Sequence, residues 1–123
     1  MSSLFEPWNI ADGVVGFIWR APFPKAQLLL QHGLGEYSER YVTQYSELIP
    51  KLNALGIHVY AFDLPGHGRS GGTRGLIDLQ QAVSLHLKAR ELMAGNKLPT
   101  VLYGHSLGGL ITAGSLVRSS ANV

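Results

Sequence analysis

Three short apolar runs, each followed by a segment of helical or loop character, are the feature that most constrains the fold of this chain. The runs are Ala26–Leu30, Ile57–Phe62 and Thr100–Tyr103, and a glycine follows each within a few residues. Parallel strands need a long crossover, which is usually a helix, so this alternation predicts an α/β fold with a mostly parallel sheet flanked by helices. For Ala26–Leu30, the apolar character indicates a strand that is buried on both faces.

The segments that follow the three runs predict three helices. Apolar residues recur at helical spacing over Tyr41–Leu55, although Pro50 removes one backbone hydrogen bond and predicts a kink or a shorter helix. Asp78, with Gln81 three residues later, has the pattern of a capping box and predicts the start of the second helix. Small and apolar residues over Leu107–Val117 predict the third helix.

An antiparallel hairpin is predicted before the first of the three runs. Asp12-Gly13 favours a two-residue turn, and the β-branched and aromatic residues of Val14–Trp19 follow it directly. The predicted fold class is therefore α/β, with an N-terminal antiparallel hairpin joined to a mostly parallel sheet.

The composition limits the classes of protein to which the chain can belong. Its 123 residues suffice for one domain, and 46% hydrophobic against 15% charged residues exclude a disordered tail. The net charge of +2 is not concentrated in a basic block, which argues against nucleic-acid binding. The chain has no cysteine and no signal-peptide pattern, and no apolar stretch approaches the ~20 residues that span a bilayer. We therefore expect a soluble, cytoplasmic protein.

One serine has the surroundings of a nucleophile. Ser106 lies in the sequence Gly-His-Ser-Leu-Gly, directly after the third apolar run and directly before the third predicted helix. Glycines on both sides permit the sharp strand-to-helix turn that lifts a serine Oγ above a sheet. The N-terminus of the helix adds free N–H groups and a positive dipole near a developing oxyanion. The pattern favours a nucleophilic serine over a serine in an ordinary turn.

Several other polar residues near the ends of the runs have structural interpretations. His32, His67 and Asp63 lie in glycine-rich loops after the first two runs, and we expect them to order those loops. His105 precedes Ser106 in the turn, so its side chain should point elsewhere and have a structural role.

Neither a metal nor a cofactor is predicted. No pair of histidines has the spacing of a zinc site, and His58 and His86 are expected to be packing residues. The glycines of Gly66–Gly71 match the spacing of a dinucleotide-binding loop. A further glycine-rich stretch follows them, however, where such a loop would open a helix.

Three stretches of sequence, taken in order, resemble a known family. They are "LLLQHGLGEYSERY" (Leu28–Tyr41), "AFDLPGHGRSGG" (Ala61–Gly72) and "LYGHSLGG" (Leu102–Gly109). Together they are similar to the N-terminal half of the monoacylglycerol lipase and lysophospholipase branch of the α/β-hydrolase superfamily, which is also described as serine aminopeptidase-like. The resemblance covers nearly the whole chain from about residue 14 onward.

The resemblance implies a serine hydrolase of carboxylic esters that works without a cofactor or a metal. Ser106 matches the catalytic nucleophile, on which an acyl-enzyme forms. The backbone N–H groups of Leu34 and Leu107 match the oxyanion hole. The implied substrate is the ester of a single-chain lipid, a monoacylglycerol first and a lysophospholipid second. In the family a lid shapes the acyl pocket and allows transient contact with a membrane surface.

The family also needs an acid and a histidine that this sequence does not contain after its serine. The chain order in this fold is serine, then Asp or Glu, then His, whereas no Asp, Glu or His follows Ser106. Residues 1–123 are therefore expected to form a partial core domain that has the nucleophile turn but lacks the lid and the acid/base half. We expect a second chain or a continuation of this one to supply the catalytic Asp and His, and residues 1–123 alone to be inactive.

Two alternatives remain open at this point. The chain could be a non-catalytic α/β-hydrolase-like module that binds a small apolar ligand or another protein. It could also belong to an esterase or a peptidase of the same superfamily.

Overall fold

The computed structural model describes residues 4–123, and its strands and helices alternate along most of the chain. They are β1 (Glu6–Ala11), β2 (Val14–Trp19), β3 (Ala26–Gln31), α1 (Arg40–Thr43), α2 (Leu48–Ala54), β4 (Ile57–Phe62), α3 (Leu79–Ala94), β5 (Thr100–Gly104) and α4 (Leu107–Arg118). In this part of the chain, no helix is both long and apolar enough to cross a membrane.

The five strands form one mixed sheet in the order β1-β2-β4-β3-β5. Strands β4, β3 and β5 run parallel to one another, as the three apolar runs predict. Strands β1 and β2 form an antiparallel hairpin through Asp12-Gly13, where Gly13 has a positive φ of 74° that glycine adopts readily. The predicted fold class is therefore confirmed, including the N-terminal hairpin.

Helices cover both faces of the sheet and bury one apolar cluster on each. On one face, Leu29 and Phe62 of the sheet belong to the same buried cluster as Val83 of α3 and Ile111 of α4. On the other face, α1 and α2 contribute residues to a second cluster, in which the side chains of Phe17, Trp19, Leu30, Tyr41 and Ile49 are buried. The molecule thus has three layers, with the parallel strands in the middle.

The single helix predicted over Tyr41–Leu55 is wrong, because two short helices replace it. Between α1 and α2, Tyr45, Ser46 and Glu47 have φ values of 52°, 59° and 57°, which lie in the left-handed region. A right-handed helix cannot continue through such residues. Pro50 is the third residue of α2, where its missing N–H would have no partner within the helix. It therefore causes no kink.

The start of α3 agrees with the sequence, and its buried side includes polar residues. The Gln81 N–H donates to the Asp78 side chain at 3.1 Å, so Asp78 is the N-cap. Leu79, the first residue of the helix, is 41% exposed. His86 and Arg90 are buried on that side together with the alanines and Val83.

A buried polar cluster joins α3 to α4. Arg90 is only 3% exposed and donates to the carbonyls of Ser115 and Ala121, at 3.0 and 2.9 Å. The Ser115 hydroxyl donates to the Thr112 carbonyl at 3.1 Å, and it is hydrogen-bonded to His86 Nδ1 at 2.7 Å. Burial, together with the nearby charge of Arg90, lowers the pKa of His86 to about 4. His86 is therefore neutral in the folded protein near pH 7.

The buried His86 predicts a loss of stability in mild acid. Between pH 6.5 and 4 the unfolded chain binds a proton at this histidine and the folded chain does not, so the free energy of unfolding falls as the pH falls. The contribution of this one side chain is about 3 kcal/mol. We expect His86→Gln to remove that part of the pH dependence, measured by chemical denaturation from pH 7 to 4.

Lys88→Gln is the matched control for this measurement, because Lys88 is exposed on the same helix. Burial also lowers the pKa of His32 and His58, and their contribution remains in every variant. An unchanged pH dependence in His86→Gln would contradict the interpretation.

Candidate active site

Two loops that follow neighbouring parallel strands meet at one edge of the sheet. Gln31, the last residue of β3, is in register with Gly104, the last residue of β5. The His105 N–H continues this pairing by donating to the Gln31 carbonyl at 3.2 Å. The loop that begins at His32 therefore lies beside the turn that contains Ser106.

Ser106 has a backbone conformation that residues other than glycine rarely adopt. Its φ is 59° and its ψ is −124°, and it occupies the N-cap position of α4 with its residue exposed to solvent. The Gly108 and Gly109 N–H groups close the turn around it through bonds of 2.9 Å to the carbonyls of His105 and Ser106. Such conformations cost about 1–3 kcal/mol and are concentrated at functional sites.

Glycines allow the first turn of α4 to approach the sheet closely. A Cβ atom on Gly108 would overlap the carbonyl oxygen of Gln31 and would lie 2.8 Å from that of His32. A Cβ atom on Gly104 would lie 2.6 Å from the Thr112 hydroxyl. These two positions therefore exclude any side chain, which explains the glycines on both sides of Ser106.

The loop after β3 also lies against the turn. A Cβ atom built on Gly33 would be 3.3 Å from Ser106 Cβ and 3.6 Å from the backbone nitrogen of Leu107. Among residues 4–123, no turn or loop hydrogen bond uses the N–H of Leu34 or of Leu107. The site thus combines an exposed serine with two backbone N–H groups that take part in no turn or loop bond.

Glu36 is buried beside these groups, and the sequence interpretation gave it no role. It is 8% exposed, and its Oε1 accepts from the Gly33 N–H at 3.2 Å and from the Tyr41 hydroxyl at 2.6 Å. Its Oε2 accepts from the Tyr45 hydroxyl at 2.6 Å and contacts His105 Nδ1 at 3.1 Å. Burial by itself would raise the pKa of Glu36. The bonds from the tyrosines, Gly33 and His105 outweigh burial and lower it to about 2.

The polar residues expected to order loops do so. His32 Nε2 accepts from the Leu64 N–H at 3.0 Å, which ties the loop after β3 to the loop after β4. The Asp63 carboxylate accepts from the N–H groups of Ser38 and Arg69, at 2.8 and 2.9 Å. The expected structural roles of His32 and Asp63 are confirmed.

Comparison with known proteins agrees with this geometry. Residues 22–123 match the family model described as "Serine aminopeptidase, S33". The human monoglyceride lipase is 40% identical over 91 residues, which are 72% of this chain and 29% of that protein. A monoglyceride lipase homolog of Monkeypox virus is 36% identical over 95 residues, which are 73% of this chain and 32% of that one.

The chain belongs to the serine aminopeptidase, S33 family. A monoacylglycerol lipase from Paleococcus ferrophilus superposes on 88% of the chain with a TM-score of 0.70 and 34% identity, and 40% of that structure is covered. The sheet and its helices are therefore part of an α/β-hydrolase fold. The chain spans about a third of the length of the curated relatives it matches.

Among residues 4–123, no hydrogen bond joins a histidine side chain to Ser106. The imidazole of His58 accepts from the Ala21 N–H, and that of His67 contacts the Pro65 carbonyl. The other three histidines bond to Leu64, Ser115 and Glu36. In the same part of the chain, no group of three or more His, Cys, Asp or Glu side chains could hold a metal ion.

The glycine contacts predict opposite effects of the same substitution at two neighbouring positions. Gly108→Ala should lower the free energy of unfolding by about 1–3 kcal/mol, because the added methyl group meets the Gln31 carbonyl. Gly109→Ala is the matched control. Its methyl group would lie 3.5 Å from the Gly104 oxygen, an ordinary contact, and alanine favours a helix. Equal stability of the two variants in urea denaturation would contradict the proposed close approach.

Proposed function

We propose that the complete protein containing this chain is a serine hydrolase of carboxylic esters with Ser106 as its nucleophile. The observation that supports the proposal most directly is the strained, exposed Ser106 at a helix N-terminus, next to the free N–H groups of Leu34 and Leu107. A strained backbone at an exposed residue is retained where it contributes to function.

The proposed reaction is acyl transfer through the serine. Ser106 Oγ attacks the ester carbonyl carbon while a histidine accepts the hydroxyl proton, and the carbonyl oxygen becomes an oxyanion. The N–H groups of Leu34 and Leu107 donate to that oxyanion. The histidine then returns the proton to the leaving alcohol. Water hydrolyses the acyl-enzyme by the same steps, releasing the carboxylic acid and restoring Ser106.

The catalytic Asp and His are proposed to come from outside residues 1–123, from a second chain or from a continuation of this one. The hydrogen bonds of all five histidines to other groups support this proposal. In this view residues 1–123 are a partial core domain. The cytoplasmic location and the transient membrane contact of a lid stay predictions.

Esters of single-chain lipids are the proposed substrates, monoacylglycerols before lysophospholipids. The relatives named monoglyceride lipase support this choice. Leu34 adds an apolar side chain, 58% exposed, next to the proposed oxyanion hole. Because the family model carries the name of an aminopeptidase, a peptide substrate is the main alternative within the same chemistry.

Replacing Ser106 tests the nucleophile directly. We expect a fluorophosphonate probe to label the complete wild-type protein and not Ser106→Ala, because the probe reacts only with an activated serine hydroxyl. Ser46→Ala is the matched control, since Ser46 is also exposed with a φ of 59° but lies between two helices rather than between a strand and a helix. Equal labelling of wild type and Ser106→Ala would refute the assignment. Release of fatty acid from a monoacylglycerol or a lysophospholipid, compared with release of the amine from a peptide amide, identifies the substrate.

The turnover of residues 1–123 alone tests whether the catalytic histidine comes from outside them. We expect their kcat for a monoacylglycerol to be on the order of a million-fold below that of the complete protein, by analogy with the loss of a triad histidine. A soluble monomer of residues 1–123 that unfolds cooperatively and retains full turnover would contradict the proposal. If residues 1–123 form a stable, inactive monomer and the complete protein is inactive as well, the result favours a non-catalytic module.

A further inference from the structure

Glu36 joins the two loops that meet at Ser106. On one side, Oε1 accepts from the N–H of Gly33, the residue that directly precedes the proposed donor Leu34. On the other side, Oε2 contacts Nδ1 of His105, the residue that directly precedes Ser106. One carboxylate therefore links the oxyanion loop, defined here as Gly33–Gly35, to the nucleophile turn.

The remaining contacts of Glu36 keep this carboxylate fixed in place. Tyr41 donates to Oε1 and Tyr45 donates to Oε2, both at 2.6 Å, and an Arg40 nitrogen lies 3.6 Å from Oε2. The tyrosine rings are stacked with their centroids 4.6 Å apart. With donors on both oxygens, the carboxylate has little freedom to rotate or to move away from either loop.

The proposed oxyanion hole depends on the distance between two short backbone segments. An oxyanion hole acts only when its N–H groups lie about 2.7–3.1 Å from the position of the developing charge. Leu107 follows Ser106 directly, so its N–H moves with the nucleophile. Leu34 belongs to a different loop, and its residue is exposed. A side-chain contact between the two loops adds to the packing of Gly33 on Ser106 in holding Leu34 in register with the serine.

We propose that Glu36 is a positioning residue that holds the Leu34 N–H at its place in the oxyanion hole by bridging Gly33 and His105. The inference rests on the function proposed above, because it assigns a role in that same site. Glu36 does not touch the substrate and transfers no proton. It acts only through the placement of the two loops.

Glu36→Gln in the complete protein tests the bridge. Glutamine has one acceptor oxygen and one amide nitrogen, so it cannot accept hydrogen bonds on both sides. We expect kcat for a monoacylglycerol to fall about 10- to 100-fold, as for a small misplacement of catalytic groups, with KM changed less than about twofold. Glu47→Gln is the matched control, because Glu47 is exposed and its side chain caps no helix.

An inhibitor that forms an oxyanion separates positioning from a merely structural role. A trifluoromethyl ketone analogue of the substrate is attacked by the serine and gives a tetrahedral adduct with a negative oxygen. We expect its Ki to rise in Glu36→Gln by about the factor by which kcat/KM falls. Lower thermal stability with an unchanged Ki and kcat would overturn the proposal.

The His105 end of the bridge provides a second test that also serves if Glu36→Gln fails to fold. The His105 side chain is 40% exposed, so it tolerates replacement better than Glu36. His105→Ala removes the donor and should lower kcat, whereas His105→Asn keeps a donor near the position of Nδ1 and should restore most of it. The double variant Glu36→Gln/His105→Ala should be no worse than the poorer single variant. Additive losses, or equal activity of the alanine and asparagine variants, would overturn the bridge.

Failure of this inference is distinguishable from failure of the proposed function. If Ser106→Ala keeps full activity, the proposed function fails, whatever the result at Glu36. If Ser106→Ala is inactive while Glu36→Gln and His105→Ala keep wild-type kcat and Ki, only the positioning role fails.

Discussion

The close contact between the first turn of α4 and the end of β3 is the constraint on which the rest of the site depends. Gly108 leaves no room for a side chain over the carbonyl of Gln31. Ser106, two residues earlier, is therefore held in its strained conformation directly beside the oxyanion loop. The surroundings must offset about 1–3 kcal/mol for that conformation, and a rigid backbone contact does so without using polar side chains. The site's N–H groups stay free as a result.

Two carboxylates close to the site hold loops rather than take part in the proposed chemistry. Asp63 follows β4 and accepts from backbone N–H groups of two different loops. Glu36 follows β3 and accepts from a backbone N–H and two tyrosines. The oxygens of both carboxylates are bonded to groups that hold these loops. This agrees with the proposal that the acid of the triad lies outside residues 1–123.

The elements formed by local sequence were predictable, and those formed by distant contacts were not. The strands followed from continuous apolar runs, and β4 has the predicted bounds, Ile57–Phe62. The sharp turn at Ser106 was predictable from the glycines on both sides of it, because only small residues permit such a turn. The break at Tyr45–Glu47 was not predictable, because no glycine marks its left-handed residues. The burial of Arg90 was also not predictable, since its hydrogen-bond acceptors are carbonyls 25 and 31 residues away.

Glu36 occupies an intermediate position between these two cases. It belongs to the sequence His-Gly-x-Gly-Glu that supported the family resemblance, so the signal was present. Its partners could not be identified, because His105 lies 69 residues further along the chain and only the register of β3 with β5 brings the two together. The position of Glu36, three residues after Gly33 and ahead of Tyr41 and Tyr45, becomes informative once that register is known.

The pairing of β3 with β5 also limits where a catalytic acid and base could reach Ser106. Among the described strands β5 pairs only with β3, and Val101 on it is 48% exposed, so one side of β5 is open to a further strand. The carboxyl ends of parallel strands meet at one edge of a sheet, where α/β proteins bind their ligands. A strand added parallel to β5 would therefore end beside Ser106, and the loop after it could present an Asp or a His to the serine. An antiparallel strand would direct that loop to the opposite edge. A parallel neighbour for β5 is thus the arrangement in which the loop that follows the added strand lies at the site.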